Sequence, residues 1–187
     1  LRAARDLGLA PTGTDISRHA VATCRAMGFR AEAGRLDALP FADGEFGIVT
    51  MKHVLEHTAD PRRALAEVSR VLRTGGRLVF SLDHPFRDCF TDAETDEMSI
   101  VPLRSYFDNA AMRWQWGNTG IRMESYHWSI AQWVEMLATA GFQLRRILEP
   151  APPADMLDAV WPTDDALASL RLIPQTIIFI AEKGIFI

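Results

Sequence analysis

Apolar residues recur at helical spacing in three windows of the chain and gather into short runs between them. The clearest window is 61–72, where Ala64, Leu65, Val68, Val71 and Leu72 form one stripe. Asp60 is placed to cap this helix, and Pro61 takes its first position, where a missing N–H costs nothing. Gly75-Gly76 is expected to end it, with Arg77 to Leu82 following as a strand. A second helix carries Ala20, Val21, Cys24 and Met27, capped by Ser17 and closed by Gly28. A third has Ile130, Trp133, Val134, Leu137 and Ala140 on one face. Ser129 and Gln132 suit a capping box before it, and Gly141 ends it. Residues 2–8 read as the end of a helix closed by Gly8.

Between these helices lie strand candidates: a short one ending at Gly13-Thr14-Asp15, Phe29 to Ala33, a buried one at Phe46 to Met51, Leu144 to Leu148, and Thr176 to Ala181. Helices and strands alternating at this spacing argue for right-handed crossovers and a mostly parallel sheet. The expected strands lie near 12–15, 46–51, 77–82, 143–149 and 175–182. A chain of 187 residues suits one domain, with core segments 9–84 and 129–187. Residues 85–128 break the alternation and hold Phe86, Phe90, Tyr106, Phe107, Trp114, Trp116, Tyr126 and Trp128. Such an aromatic insert is either a lid over a substrate pocket or an ordinary small core.

Composition narrows the partners. Hydrophobic residues at 48% suffice for a full core, and a net charge of -4 argues against nucleic acid as a main partner. The longest apolar run near the end, Ile177 to Ala181, is too short to span a membrane. Two cysteines without a secretory segment suit reduced thiols and a cytoplasmic setting. Cys24 reads as a small core residue. No histidine pair has metal-ligand spacing with a third ligand. A homo-oligomer is compatible with all of this. The chain opens on Leu1 and not on Met, which suits a cleaved or truncated protein.

The candidate chemistry sits at strand ends. Asp15 closes a strand at the edge where a parallel sheet binds ligands, and a carboxylate can hold two vicinal ribose hydroxyls. It can equally cap the helix that starts at Ser17, and NAD enzymes use the same arrangement. His84 follows another strand, placed either as a general base for an acceptor hydroxyl or as the residue that fixes the turn before Pro85. His57, the last residue of LEH, and His53 just before that segment admit either a structural or a catalytic role. Tyr126, His127 and Trp128, just before the capping-box helix, are candidates to line an acceptor pocket.

The segments TGTDIS, GRLDALPFADGEFGIV and VLEHTADPRRALAEVSRVLRTGGRLVFSLDH, in this order, resemble class I S-adenosylmethionine (SAM) dependent methyltransferases of the type 11, small-molecule kind. The resemblance covers 9–84 well and extends more weakly through AGF at 140–142, EPAPP at 149–153 and the closing strand. It implies a three-layer α/β/α, Rossmann-like sheet, mostly parallel with an antiparallel last strand. It also implies SAM as cofactor and methyl transfer to a small molecule. By the family pattern Asp15 holds the ribose, Ile16 packs on the adenine, and Arg35 and Leu36 border it. Met51 and Lys52 lie near the methionine part.

Three features depart from that pattern. The opening strand with its glycine-rich loop is missing, so a chain starting at Leu1 is expected to bind SAM weakly or not at all without an upstream segment. Arg35 replaces the aspartate that accepts from the adenine amino group, and an arginine has no acceptor, although Asp37 could substitute. Gly47 replaces a frequent aspartate. These departures favour a rival, a non-enzymatic binding or partner protein of the same fold that has lost SAM. The LPF and LEH segments disfavour a third reading, an NAD(P)-binding domain.

Overall fold

The computed structural model describes residues 1–160 and 167–184. The expected core segment 129–187 therefore includes residues, 161–166 and 185–187, that lie outside the description. The chain forms α1 (Arg2–Asp6), β1 (Thr12–Asp15), α2 (Arg18–Ala26), β2 (Arg30–Ala33) and β3 (Phe46–Lys52). A 3-10 turn (Leu55–His57) leads to α3 (Pro61–Val71), β4 (Leu72–Asp83) and α4 (Pro85–Asp88). Then come β5 (Ala111–Gln115), β6 (Arg122–Tyr126), α5 (Ile130–Thr139), β7 (Phe142–Leu148), α6 (Ala154–Val160) and β8 (Thr176–Lys183). Among the described residues no helix is long and apolar enough to cross a membrane.

The main sheet has the order β3-β4-β8-β7. β3 and β4 are parallel, and β8 runs antiparallel to both β4 and β7. Three of the four strands thus share one direction, with the last strand reversed between two of them, as the resemblance implies. β1 and β2 form a separate parallel pair. Among the described residues β1 ladders only with β2, and β3 only with β4.

The helices start as their capping residues dictate. Asp60 accepts the Arg63 N–H (3.1 Å), Ser17 accepts the Ala20 N–H (3.2 Å), and Ser129 with Gln132 completes the capping box. The apolar stripes of α3 and α5 lie on one face of the sheet. That face presents Leu78, Phe80 and Leu82 from β4 and Ile177, Phe179 and Ala181 from β8, all buried. Phe80 is the hub: its ring stacks on Phe179 (4.9 Å between centroids) and lies 5.8 Å from Trp133.

Four expectations need correction. Gly75-Gly76 does not end α3. The helix stops at Val71, and the chain enters β4 at once, because Leu72 is fully buried at the strand's start and its carbonyl accepts the Lys183 Nζ (2.8 Å). Phe46 to Met51 is not a buried strand: with a ladder on one edge only, β3 leaves Ile48 half-exposed. The α2 stripe is thinner than its spacing suggests, since only Val21 is buried and Cys24 is half-buried. The insert is partly regular, with α4 and an antiparallel β5–β6 hairpin. Gly47 has a local reason: a Cβ there would stand 3.3 Å from the Arg73 guanidinium, where the β3–β4 register shifts.

Candidate active site

Two clusters form at the C-terminal ends of the parallel strands. In the first, the β1–β2 ladder sets Asp15 opposite Ala33, and Asp15 O accepts the Gly34 N–H (3.1 Å). The Asp15–Ile16 end therefore lies beside the Gly34–Leu36 segment, and four of the sequence-predicted cofactor residues, Asp15, Ile16, Arg35 and Leu36, come together. Asp15 Oδ1 accepts the Ser17 N–H (2.7 Å), which leaves Oδ2 free of protein partners. The cap and ribose roles are thus compatible in one carboxylate. Ile16 is 78% exposed and offers an apolar face. This donor set fits a ribose and the flank of a base.

It fits the amino edge of adenine less well. Arg35 turns to Asp37 and grips both its oxygens (2.9 and 3.2 Å), which lowers the Asp37 pKa and raises that of Arg35. Met51 and Lys52 end β3, and no ladder joins them to β1.

The second cluster surrounds a cavity of about 10 Å³, room for roughly one water molecule. It lies where β3 and β4 end, under the β5–β6 hairpin, which rests on the 3-10 turn through His57 Nδ1 and Glu124 O (2.8 Å). Glu56, Asp83, Asp88, Ser125, Tyr126 and Trp128 line it. Glu56 is buried. Its Oε1 meets His53 Nδ1 (3.1 Å), while Oε2 has no partner. His53, held at φ 50 with its N–H on Ser81 O, is also 3.7 Å from Asp83. Burial pushes the Glu56 carboxyl up to about 7, against the opposing pull of His53.

Asp88 is buried too, and burial raises its pKa. Its Oδ2 meets His127 Nδ1 (3.0 Å), and its Oδ1 has no hydrogen-bond partner, the Arg87 guanidinium lying 4.0 Å away. His127 Nε2 donates to Tyr106 O (2.8 Å), so Nδ1 and Asp88 share one further proton. Trp128 Nε1 is the third buried polar atom at the cavity without a partner.

Of the sequence-predicted acceptor residues, Tyr126 and Trp128 thus line the cavity, while His127 stands behind it and orients Asp88. His84 is not brought there. It is buried, its Nδ1 accepts the Phe86 N–H (3.1 Å), and its Nε2 donates to Glu149 (2.8 Å). With both ring nitrogens engaged, it has no lone pair for an acceptor and fixes the turn into α4. His84→Ala is expected to lower stability by about 1–3 kcal/mol, because the Phe86 N–H loses its partner. Denaturant melts would read this, and an unchanged midpoint would contradict it. Sequence reasoning missed Glu56, Asp83 and Asp88. The signal available was an acid inside the apolar VLEH segment, beside the histidine that drew attention.

Residues 1–80 match the family profile described as methyltransferase domain. A S-adenosylmethionine dependent methyltransferase from Mesorhizobium loti superposes with a TM-score of 0.77, covering 97% of this chain and 84% of its own, at 23% identity. The chain has the fold of a SAM-dependent methyltransferase, as the motifs implied, and its residues 1–80 match a methyltransferase domain. A demethylmenaquinone methyltransferase from Renibacterium salmoninarum is 34% identical over 120 residues, 62% of this chain and 50% of that protein. The O-methyltransferase cnsE of Penicillium expansum is 33% identical over 144 residues, 71% of this chain and 52% of that protein. The chain thus spans about half the length of these curated relatives.

Burial of Glu56 has a pH signature in this domain. Its folded carboxyl titrates near 7, above the ordinary unfolded value. Between those two pH values the folded protein holds a proton that the unfolded chain has released, so stability falls as pH rises through that window. Asp88 acts in the same direction, so the comparison must be with Glu56→Gln. The variant is expected to gain about 1–3 kcal/mol on wild type between pH 5 and pH 8. Parallel melts at the two pH values check this, and equal slopes for both proteins would contradict it.

Proposed function

We propose that the protein transfers the methyl group of SAM to a small-molecule acceptor held beneath the β5–β6 hairpin. The observation that carries this reading is the cavity at the ends of β3 and β4, where three buried polar atoms await a partner. Asp15, Ile16 and Leu36 hold the ribose and adenine, with Met51 and Lys52 toward the methionine part. Tyr126 and Trp128 border the acceptor. The names of the curated relatives, one acting on demethylmenaquinone and one an O-methyltransferase, support a small-molecule acceptor.

SAM supplies an activated methyl group, so little covalent chemistry falls to the protein. Its residues align the acceptor and exclude water. The hairpin, anchored at His57, does the second. The fold, the charge balance and the two free cysteines suit a cytoplasmic enzyme. One observation favours the rival reading, a binding or partner protein of this fold that has lost SAM: Arg35 occupies both oxygens of Asp37, the acid that could substitute in the adenine contact.

Incubation with SAM and a panel of phenols, quinols and amines separates the two. Acceptor-dependent formation of S-adenosylhomocysteine, read by mass spectrometry, is the expected result. No SAM binding and no turnover on any acceptor would favour the rival.

A further inference from the structure

Glu56 is 7% exposed and Asp88 likewise 7%; both line the same small cavity, and each has a buried oxygen with no hydrogen-bond partner among the described residues. Trp128 adds an unpaired N–H. Asp88 Oδ1 faces the Arg87 guanidinium (4.0 Å), so one acceptor, Glu56 Oε2, and one donor, Trp128 Nε1–H, are left over. An ammonium group carries donors only and would leave the indole N–H orphaned. An ether oxygen or a carbonyl carries acceptors only and would face a carboxylate. A hydroxyl does both: it donates to a carboxylate and accepts from the indole. Burying such polar atoms unpaired costs stability, so the cavity is built for a group of this kind.

We infer that this cavity receives the hydroxyl of the methyl acceptor, with Glu56 Oε2 as its proton acceptor and Trp128 Nε1–H as its donor. The inference rests on the methyltransferase reading and specifies its acceptor as an alcohol or phenol. Glu56 is preferred to Asp88 as the base because Asp88 already shares a proton with His127 on its other oxygen. Among the described residues no arginine pairs with Glu56, and its ring partner, His53, is itself shared with Asp83. A base titrating near 7 suits proton removal at neutral pH.

The step balances. The hydroxyl proton passes to the Glu56 carboxylate, and the acceptor oxygen forms a bond to the methyl carbon. The carbon–sulfur bond breaks, with its electron pair going to sulfur. The products are a methyl ether, S-adenosylhomocysteine and a neutral Glu56, which returns its proton to water. The cavity has room only for the hydroxyl itself, so the body of the acceptor lies outside it.

Binding of phenol, anisole and benzylamine by wild type, Glu56→Gln and Trp128→Phe tests this, read by NMR of labelled protein at pH 8. Wild type should bind phenol at least about tenfold more tightly than anisole, which keeps the ring and oxygen but cannot donate. Glu56→Gln should lose most of that preference, and Trp128→Phe should weaken phenol while keeping the protein folded. A wild type without the preference, a preference that survives Glu56→Gln, or benzylamine bound more tightly than phenol would each overturn the inference. The Asp15 and Ile16 amides, followed in the same samples on adding SAM, report separately on the methyltransferase reading. They distinguish a wrong acceptor from a wrong cofactor.

Discussion

Phe80→Ala is expected to lower the melting temperature by about 6–20 °C. The ring is fully buried between the stacked Phe179 and the tilted Trp133, so it joins β4, β8 and α5 at one point. Truncating a buried phenylalanine costs about 3–5 kcal/mol, part in lost transfer free energy and part in the cavity left behind. In a domain of this size each kcal/mol moves the midpoint by roughly 2–4 °C. The neighbours limit collapse, because Trp133 is itself buried in the same core and Phe179 sits on β8, laddered on both edges. Calorimetry decides the matter. A drop below a few degrees would mean that the helix-covered face of the sheet is not where the fold's stability resides.

Asp15→Ala is expected to weaken SAM binding by about 10- to 150-fold. A hydrogen bond between a charged carboxylate and a ribose hydroxyl contributes about 1.5–3 kcal/mol, and Asp15 Oδ2 is free to make one. The same substitution removes the Ser17 N–H bond, which costs about 1 kcal/mol of stability as a lost cap. Asp15→Asn separates the two effects. Its amide oxygen keeps the contact to Ser17 while the charge is gone, so stability should hold and affinity should still fall. Thermal melts and SAM titrations of wild type and both variants give the answer. Affinity unchanged in Asp15→Asn would confine this residue to the turn.

What could be read from the chain follows from the range of the interactions involved. Helix starts are local events, fixed within four residues, so Asp60, Ser17 and the Ser129–Gln132 box announced α3, α2 and α5. Motif order is a longer signal but still linear, and it carried the fold and cofactor class through TGTDIS, LPFADGEF and LEH. The exposure of β3 was not legible, because an apolar strand reads the same whether one edge or both are laddered. The end of α3 was misplaced, since Gly75-Gly76 resembles a helix stop until the burial of Leu72 is known.

The candidate site divides along the same line. Tyr126 and Trp128 were found from their position before a capped helix. Glu56 and Asp88 were missed because an acid in a sequence reads as solvated. Only the packing of the hairpin, with Asp88 and His127 paired across 39 positions, buries these two. His84 shows the converse. Its place after a strand suggested a base, yet a contact with Glu149, 65 positions away, engages its second nitrogen.

The most direct test of a SAM-dependent methyltransferase domain is an amide NMR titration of the protein with SAM and, separately, with NAD. Such spectra register weak binding as well as tight. SAM should shift the amides of Asp15, Ile16, Arg35 and Leu36, with Met51 and Lys52 following, while NAD leaves them in place. Shifts at Asp15 and Ile16 with NAD and none with SAM would contradict the account.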